Sequence, residues 1–302
     1  MVLPLTGGKG SGGGDFFPPR PLFRFFSVTI LSFFLLPSAQ TADLQDKTVR
    51  AWDRYLQWAD SKVQRELSTE RKFRIEDHFE PKKRAEIRLK LHEGEIVTGK
   101  VSGVVPSGTS FSVPDGEIHH WWGGVYIPDI TLSELLAFLQ DYDRHADLFD
   151  DVEKSKLLSQ KDGKYRFMFR LKRSQALVTA VFNTEQECVY KTWDEKRVSS
   201  RSVATKIAEV EDADTPKERE KPPGKDRGFM WRLVSWWRFE QVGDGVVVEL
   251  ESASLSRDIP LGVRVVPGVS DYIRSTPRKS LESVLTTIRE FAKSRKNKPA
   301  AP

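Results

Sequence analysis

A change in hydrophobic period near residue 151 constrains the fold of this chain more than any other sequence feature. In the segment YRFMFRLK, which covers residues 165–172, every odd position is aromatic or leucine and most even positions are basic. This alternation is typical of a strand with one buried face. Comparable runs continue to about residue 255 and are separated by turn sequences at 161–163, 194–196 and 243–245. We therefore expect about six consecutive antiparallel strands.

A long helix is predicted at the end of the chain. Thr276 has the side chain of a helix N-cap, and Pro277 suits the first helical position. Leu281, Leu285 and Ile288 follow at spacings that place them on one helical face. Because an antiparallel sheet with one apolar face must be covered, we expect this helix to cover it.

Helices and a strand are also predicted earlier in the chain. An apolar stripe that includes Trp52 indicates a helix over residues 46–67, and a strand is expected over 117–127. Thr131 and Glu134 have the spacing of a capping box and begin a helix that ends near residue 140. We interpret residues 43–114 as a helical extension with a linker, and residues 115–298 as the main domain.

Residues 1–42 have the organisation of a secretory leader. The uncharged run FFSVTILSFFLL at 25–36 follows Arg20 and Arg24 and precedes small residues. A run of this length is short for a membrane span. We expect a secreted or periplasmic protein after signal cleavage, and the alternative is a protein anchored in a membrane by this segment.

Composition and residue order exclude several kinds of site. Cys188 is the only cysteine, so a disulfide framework is excluded. The net charge is only +5 and the basic excess is concentrated after residue 273, so we expect no nucleic-acid partner. Adjacent strand residues point to opposite faces, so His119 and His120 are not expected to bind one metal ion. We expect neither a metal nor a cofactor.

The order of these elements resembles the START-like helix-grip (SRPBCC) superfamily, and most closely the bacterial polyketide cyclase and coenzyme-Q-binding group. The resemblance covers about residues 115–295 and is one of element order and hydrophobic pattern. It implies an α+β fold in which a curved antiparallel sheet is wrapped around the long C-terminal helix, with a helical N-terminal extension added here. It also implies a cavity between sheet and helix that binds an apolar small molecule, with catalysis in only some members.

The predicted lining of such a cavity consists of large apolar residues, which lie either on one face of the predicted strands or on the apolar face of the C-terminal helix. They are Phe167, Phe169, Phe182, Trp231, Trp237, Phe239, Leu281, Leu285 and Ile288. The alternative is that these side chains fill a solid core. Ser199, Ser200, Ser202 and Thr205 either add a small polar lining or belong to a solvated sheet face.

The segment before the terminal helix is apolar and punctuated by glycine. Its residues Leu261, Val263, Val265 and Val266 are expected to gate the cavity or to contact a membrane peripherally, and the alternative is a packed connection.

Three functional hypotheses follow from the sequence. The first is binding, and carriage, of a hydrophobic small molecule such as a lipid, a quinone or a polyketide-like compound. The second is a cavity enzyme of the cyclase or dehydratase type, in which Arg170, Arg238, Asp258 or Tyr190 would supply acid–base chemistry. The third is a structural or interaction module that uses the N-terminal helix.

Overall fold

The computed structural model describes residues 42–69, 72–103, 111–175, 178–258 and 269–296. The predicted leader and the predicted gate residues Leu261, Val263, Val265 and Val266 lie outside these ranges. The helices are α1 (Asp46–Leu67), α2 (Pro81–His92), α3 (Leu132–Gln140) and α4 (Val269–Lys296), with 3₁₀ helices at Ile75–His78 and Tyr142–Asp147. The strands are β1 (Ala42–Asp43), β2 (Val97–Lys100), β3 (Gly116–Ile127), β4 (Val152–Lys161), β5 (Lys164–Gln175), β6 (Val178–Asp194), β7 (Arg197–Glu211), β8 (Arg219–Glu220), β9 (Lys225–Asp226), β10 (Arg232–Val242) and β11 (Gly245–Arg257).

Nine of the described strands form one curved antiparallel sheet. Its order is β2-β3-β11-β10-β7-β6-β5-β4, with β8 paired to β7, while β1 and β9 pair separately. Strands β4 to β7 form a continuous meander, and β10 and β11 form a hairpin between β7 and β3. The predicted α+β fold class is confirmed, including the run of antiparallel strands and the long C-terminal helix.

Helix α4 packs against one face of this sheet, which we call the α4 face. Leu281, Leu285 and Ile288 are buried in one cluster with Val125 on β3 and Val248 on β11. Gly123 allows this close approach, because a Cβ atom there would clash with Leu281 Cδ2 and lie 3.0 Å from Leu285 Cδ1. The fold is of the helix-grip type.

The N-terminal extension covers the opposite face, which we call the α1 face. Trp52 and Tyr55 of α1 are buried in a cluster with Trp236 on β10 and with Ala253 and Leu255 on β11. Helix α2 adds a second cluster, in which Ile87 and Leu91 meet Trp122 and Val247. The apolar stripe of α1 is therefore buried within the chain, against the sheet. None of the helices in the described ranges combines the length and the apolar character needed to cross a membrane.

The start of one helix follows the signal in its local sequence, whereas the start of another does not. The Thr131 side chain accepts the Glu134 backbone N–H and the Glu134 carboxylate accepts the Thr131 backbone N–H, as the capping box predicts. The predicted start of the last helix at Thr276 is wrong, because α4 already begins at Val269 and Pro277 lies inside it. An interior proline removes one helical hydrogen bond and its ring crowds the carbonyl four residues earlier, yet α4 continues on both sides of Pro277.

Candidate ligand-binding groove along strand β7

Strand β7 presents a row of small side chains on the α4 face. Ser200 is directly opposite Tyr190 on β6 and Trp237 on β10, and directly opposed residues share a face. The next two residues on this face of β7 are Ser202 and Ala204. Tyr190 and Trp237 are half-buried and pack against the α4-face core. Ser200 therefore lies between two larger side chains, and Ser202 and Ala204 continue the row of small side chains along the strand. We call this row and its two flanking rings the β7 groove (Tyr190, Ser200, Ser202, Ala204 and Trp237).

The position of α4 leaves this groove to one side of the helix. Helix α4 packs mainly on β3 and more weakly on β11. Strand β7 is three strands away from β3, or about 14 Å at the usual strand spacing. A helix with its side chains has a radius of only about 5–6 Å. The groove consequently lies beside α4, not directly beneath it.

Aromatic side chains continue the same face toward β5. Phe167 is stacked on Tyr142 of the second 3₁₀ helix, with ring centroids 3.9 Å apart. Phe169 is half-buried and lies 4.7 Å from Phe167 between ring centroids. A depression of about 370 Å³ lies beside the β4–β5 turn, and its lining includes Tyr165 and Cys188 together with Arg166, Glu187 and Val189, which belong to the opposite face.

A group of hydroxyls and one thiol lies at the Ser200 end of the groove. The hydroxyl oxygens of Tyr142 and Tyr190 are 3.1 Å apart, and the Cys188 thiol interacts with both tyrosines. Ser202 donates a hydrogen bond to Gln186 Oε1 at 3.2 Å. The Cys188 thiol also interacts with the Ser200 hydroxyl, which is buried and has no well-formed hydrogen bond to any described residue.

These polar groups are neutral at physiological pH. Burial raises the pKa values of Tyr142, Tyr190 and Cys188 above their ordinary values, so all three keep their protons. Burial also lowers the pKa of nearby His145 to about 4, despite a hydrogen bond to the Leu139 carbonyl that acts in the opposite direction. The imidazole is therefore uncharged, and this part of the face combines aromatic surface with neutral hydrogen-bonding groups.

The structure brings most of the predicted lining residues to the α4 face. Phe239, Leu281, Leu285 and Ile288 are in its main cluster, with Phe169 and Trp237 packed against it. Phe167 belongs to the adjoining cluster of Tyr142, Tyr165 and Cys188. Phe182 is buried opposite Leu171, which also packs against the main cluster.

Trp231 departs from the predicted arrangement. It lies in the α1-face cluster with Trp52, although the alternation of residues assigned it to the side of Trp237 and Phe239. Trp231 precedes the first residue of β10, and its indole N–H donates a hydrogen bond to Asp226 at 2.9 Å. This contact and the start of the strand at residue 232 explain why strand parity does not extend to it.

The serine-rich strand contributes to both faces. Ser200 and Ser202 face the groove, whereas Ser199 lies on the other face and accepts a hydrogen bond from the Trp193 indole at 2.8 Å. Thr205 is exposed. Ala204 of the groove and the adjacent Tyr142 were not predicted from the sequence as lining residues. The only signal for the groove floor was the run of small residues in a central strand.

The basic residues considered for acid–base chemistry do not face the groove. Arg170 is buried on the opposite face, where it pairs with Glu153 at 3.0 Å and Glu218 at 2.9 Å. Arg238 pairs with Glu66 of α1 and donates to the Phe73 carbonyl at 3.0 Å. The two guanidinium groups therefore form ion pairs that hold neighbouring segments against the sheet.

The two adjacent histidines lie on opposite faces, as strand geometry requires. His119 Nε2 lies 3.0 Å from Ser256 Oγ, whereas His120 Nδ1 lies 2.7 Å from the Tyr55 hydroxyl. Over the ranges that the structure describes, no three His, Cys, Asp or Glu side chains are grouped closely enough to hold a metal ion.

Comparisons with known proteins give matches only among solved structures. No family model and no curated protein matches the chain. A STAR-related lipid transfer protein from Xanthomonas axonopodis is 17% identical with a TM-score of 0.42, covering 60% of this chain and 96% of that one. The Zhui aromatase/cyclase from Streptomyces sp. R1128 is 13% identical with a TM-score of 0.37, and the match covers 59% of this chain and 96% of that one. The lipid transfer and protein localization domain of human StarD13 is 13% identical with a TM-score of 0.38, and the match covers 70% of this chain and 97% of that one. The similar structures are START-superfamily proteins, and the fold assignment here rests on strand order and the position of α4.

Proposed function

We propose that this protein binds a hydrophobic small molecule in the β7 groove. The observation that carries the proposal is the position of Ser200 between the half-buried rings of Tyr190 and Trp237, with Ser202 and Ala204 continuing the row of small side chains along β7. A small side chain flanked by large ones leaves a depression that a flat apolar molecule fills. Burying about 200 Å² of apolar surface there would contribute about 5 kcal/mol before the costs of association.

The polar groups on the face fit this role. They are few and uncharged, which is the usual composition of a small-molecule site in an apolar depression. Arg170 and Arg238, two of the residues considered for cyclase or dehydratase chemistry, lie on the other side of the sheet and supply no charge to the groove.

Filling the groove tests the proposal. Ala204→Phe places a ring on the groove floor at a half-buried position, and Val189→Phe places the same ring on the opposite face, where Val189 is 44% exposed. Binding of 2-methylnaphthalene to each purified protein would be measured by the fluorescence of the probe. Any molecule that the protein retains from the host would be detected by native mass spectrometry.

We expect the wild type and Val189→Phe to bind the probe with similar affinity and Ala204→Phe to bind it at least tenfold more weakly. Circular dichroism and thermal unfolding of all three proteins control for folding. A wild-type protein that binds no apolar probe would overturn the proposal, as would equal binding by a folded Ala204→Phe variant.

We propose further that residues 1–42 direct the protein out of the cytoplasm and are removed. The support is the order of basic, apolar and small residues in this segment. Intact-mass measurement on protein from the native host should give a chain that begins after Ala39 or Ala42. A full-length chain in a membrane fraction would favour the anchored alternative.

A further inference from the structure

We infer that the ligand of the β7 groove carries a neutral oxygen function, a carbonyl or a hydroxyl group, at the end that lies between Tyr190 and Trp237. This inference rests on the proposed function and names the class of molecule that the groove accepts. It distinguishes an oxygen-bearing ring compound from a plain hydrocarbon and from an ionised lipid.

The first support is the buried hydroxyl of Ser200. This residue is only 5% exposed, and its Oγ interacts with the weakly hydrogen-bonding Cys188 thiol but has no well-formed hydrogen bond to a described residue. A buried hydroxyl without a partner is costly, so such groups in folded proteins usually meet a water molecule or a ligand atom. Ser200 is flanked on both neighbouring strands by rings that keep part of their surface exposed, so a ligand in the groove comes close to this hydroxyl.

The second support is the proton count of the tyrosine pair. Tyr142 and Tyr190 have two hydroxyl protons, and their contact at 3.1 Å uses one of them. The second proton has the Cys188 thiol as an alternative acceptor, and sulfur is a weak one. A ligand oxygen placed near Tyr190 would accept this proton and could also pair with Ser200.

The third support is the absence of charge in this group of side chains. Tyr142, Tyr190, Cys188 and Ser200 offer hydroxyl and thiol groups, and burial favours their neutral forms. A carboxylate or phosphate would lose its hydration here without a compensating cation from these four residues. The geometry therefore favours a neutral oxygen over an ionised headgroup.

A pair of isosteric probes tests this inference. 2-Naphthol carries a hydroxyl group where 2-methylnaphthalene carries a methyl group. Both compounds would be titrated into the full-length protein. The variants are Ser200→Ala and Tyr190→Phe, which remove one hydroxyl each at the groove. Tyr126→Phe is the control, because the Tyr126 hydroxyl donates to Asp244 at 2.8 Å on the other face of the sheet.

We expect Ser200→Ala and Tyr190→Phe to weaken 2-naphthol binding about three- to tenfold while the affinity for 2-methylnaphthalene stays within about twofold. Tyr126→Phe should leave both affinities unchanged. If both probes bind and neither groove variant changes the ratio of their affinities, the inference is wrong and the binding proposal survives. If neither probe binds the wild type, the proposed function fails and this inference fails with it.

Discussion

His120 Nε2 on β3 lies 2.9 Å from a carboxylate oxygen of Glu251 on β11, and both side chains are almost completely buried between α1 and the sheet. The Tyr55 hydroxyl is 2.7 Å from the other ring nitrogen, and Lys62 Nζ is 3.0 Å from Glu251. Two residues of α1 thus complete a polar group whose other members belong to the sheet. The extension is attached to the α1 face by this group as well as by its apolar stripe.

The stability contributed by Glu251 depends on pH. Burial alone would raise its pKa, but the close contact with His120 and the charges of Lys62 and Arg238 outweigh burial and lower the pKa to about 2. A lowered carboxyl pKa stabilises the fold above the unfolded value near 4.5, and this contribution is lost as the pH falls toward 2. We expect Glu251→Gln to cost about 3 kcal/mol at pH 7 and less as the pH falls from 4.5 to 2.

Urea unfolding of wild type and Glu251→Gln across this pH range measures the difference. The control is Glu187→Gln, because Glu187 is exposed and its loss should change stability by no more than about 0.5 kcal/mol. A constant difference between wild type and Glu251→Gln from pH 7 to pH 2 would contradict the assigned pKa.

The apolar stripe of α1 should be essential for folding. Trp52 is 2% exposed in the α1-face cluster, and we expect Trp52→Ala to lower the free energy of unfolding by about 3–5 kcal/mol. Arg54 is exposed on the same helix, so Arg54→Ala should have little effect. Equal stabilities of the two variants in chemical denaturation would mean that α1 does not pack on the sheet in solution.

The contact between α4 and β3 depends on the absence of a side chain at residue 123. A Cβ atom at Gly123 would clash with Leu281, whereas one at Gly124 would meet Glu249 Cγ at an ordinary 3.4 Å. We expect Gly123→Ala to cost about 1–3 kcal/mol through overpacking, and Gly124→Ala to cost less. The double variant Gly123→Ala with Leu281→Ala should lose less stability than the sum of the two single losses, and purely additive losses would count against the close approach.

Two neighbouring serines should respond in opposite ways to truncation. Ser199 accepts a hydrogen bond from the Trp193 indole, so we expect Ser199→Ala to cost about 1–2 kcal/mol in ligand-free protein. The buried Ser200 hydroxyl has no such bond to a described residue, so Ser200→Ala should be neutral or stabilising. Thermal unfolding of both variants checks this order, and a larger loss for Ser200→Ala would show that its hydroxyl is already paired.

Elements that carry their own local signals were predicted closely from the sequence. The stripe containing Trp52 predicted α1 over residues 46–67, and Thr131 with Glu134 predicted the start of α3. Both signals are short-range, because they depend on helical spacing and on hydrogen bonds three residues apart. Thr276 and Pro277 look like such a signal, yet α4 already begins at Val269.

The parts that were not predicted depend on long-range packing. Alternation in β10 was expected to separate a buried face from a polar one, but α1 covers the second face and buries Trp236 there, while Trp231 joins the same cluster. The β7 groove is marked by small residues such as Ser200 and Ala204, which have no hydrophobic period. Their position in a groove becomes visible only in the structure, which places Tyr190 and Trp237 on either side of Ser200.

The most direct measurement of ligand position is the intermolecular NOE from bound 2-methylnaphthalene to ¹³C-labelled alanine and leucine methyl groups. Binding in the β7 groove predicts NOEs to the Ala204 methyl group and none to Leu56, which lines a separate depression of about 460 Å³ on α1. NOEs to Leu56 without any to Ala204 would contradict binding in the groove.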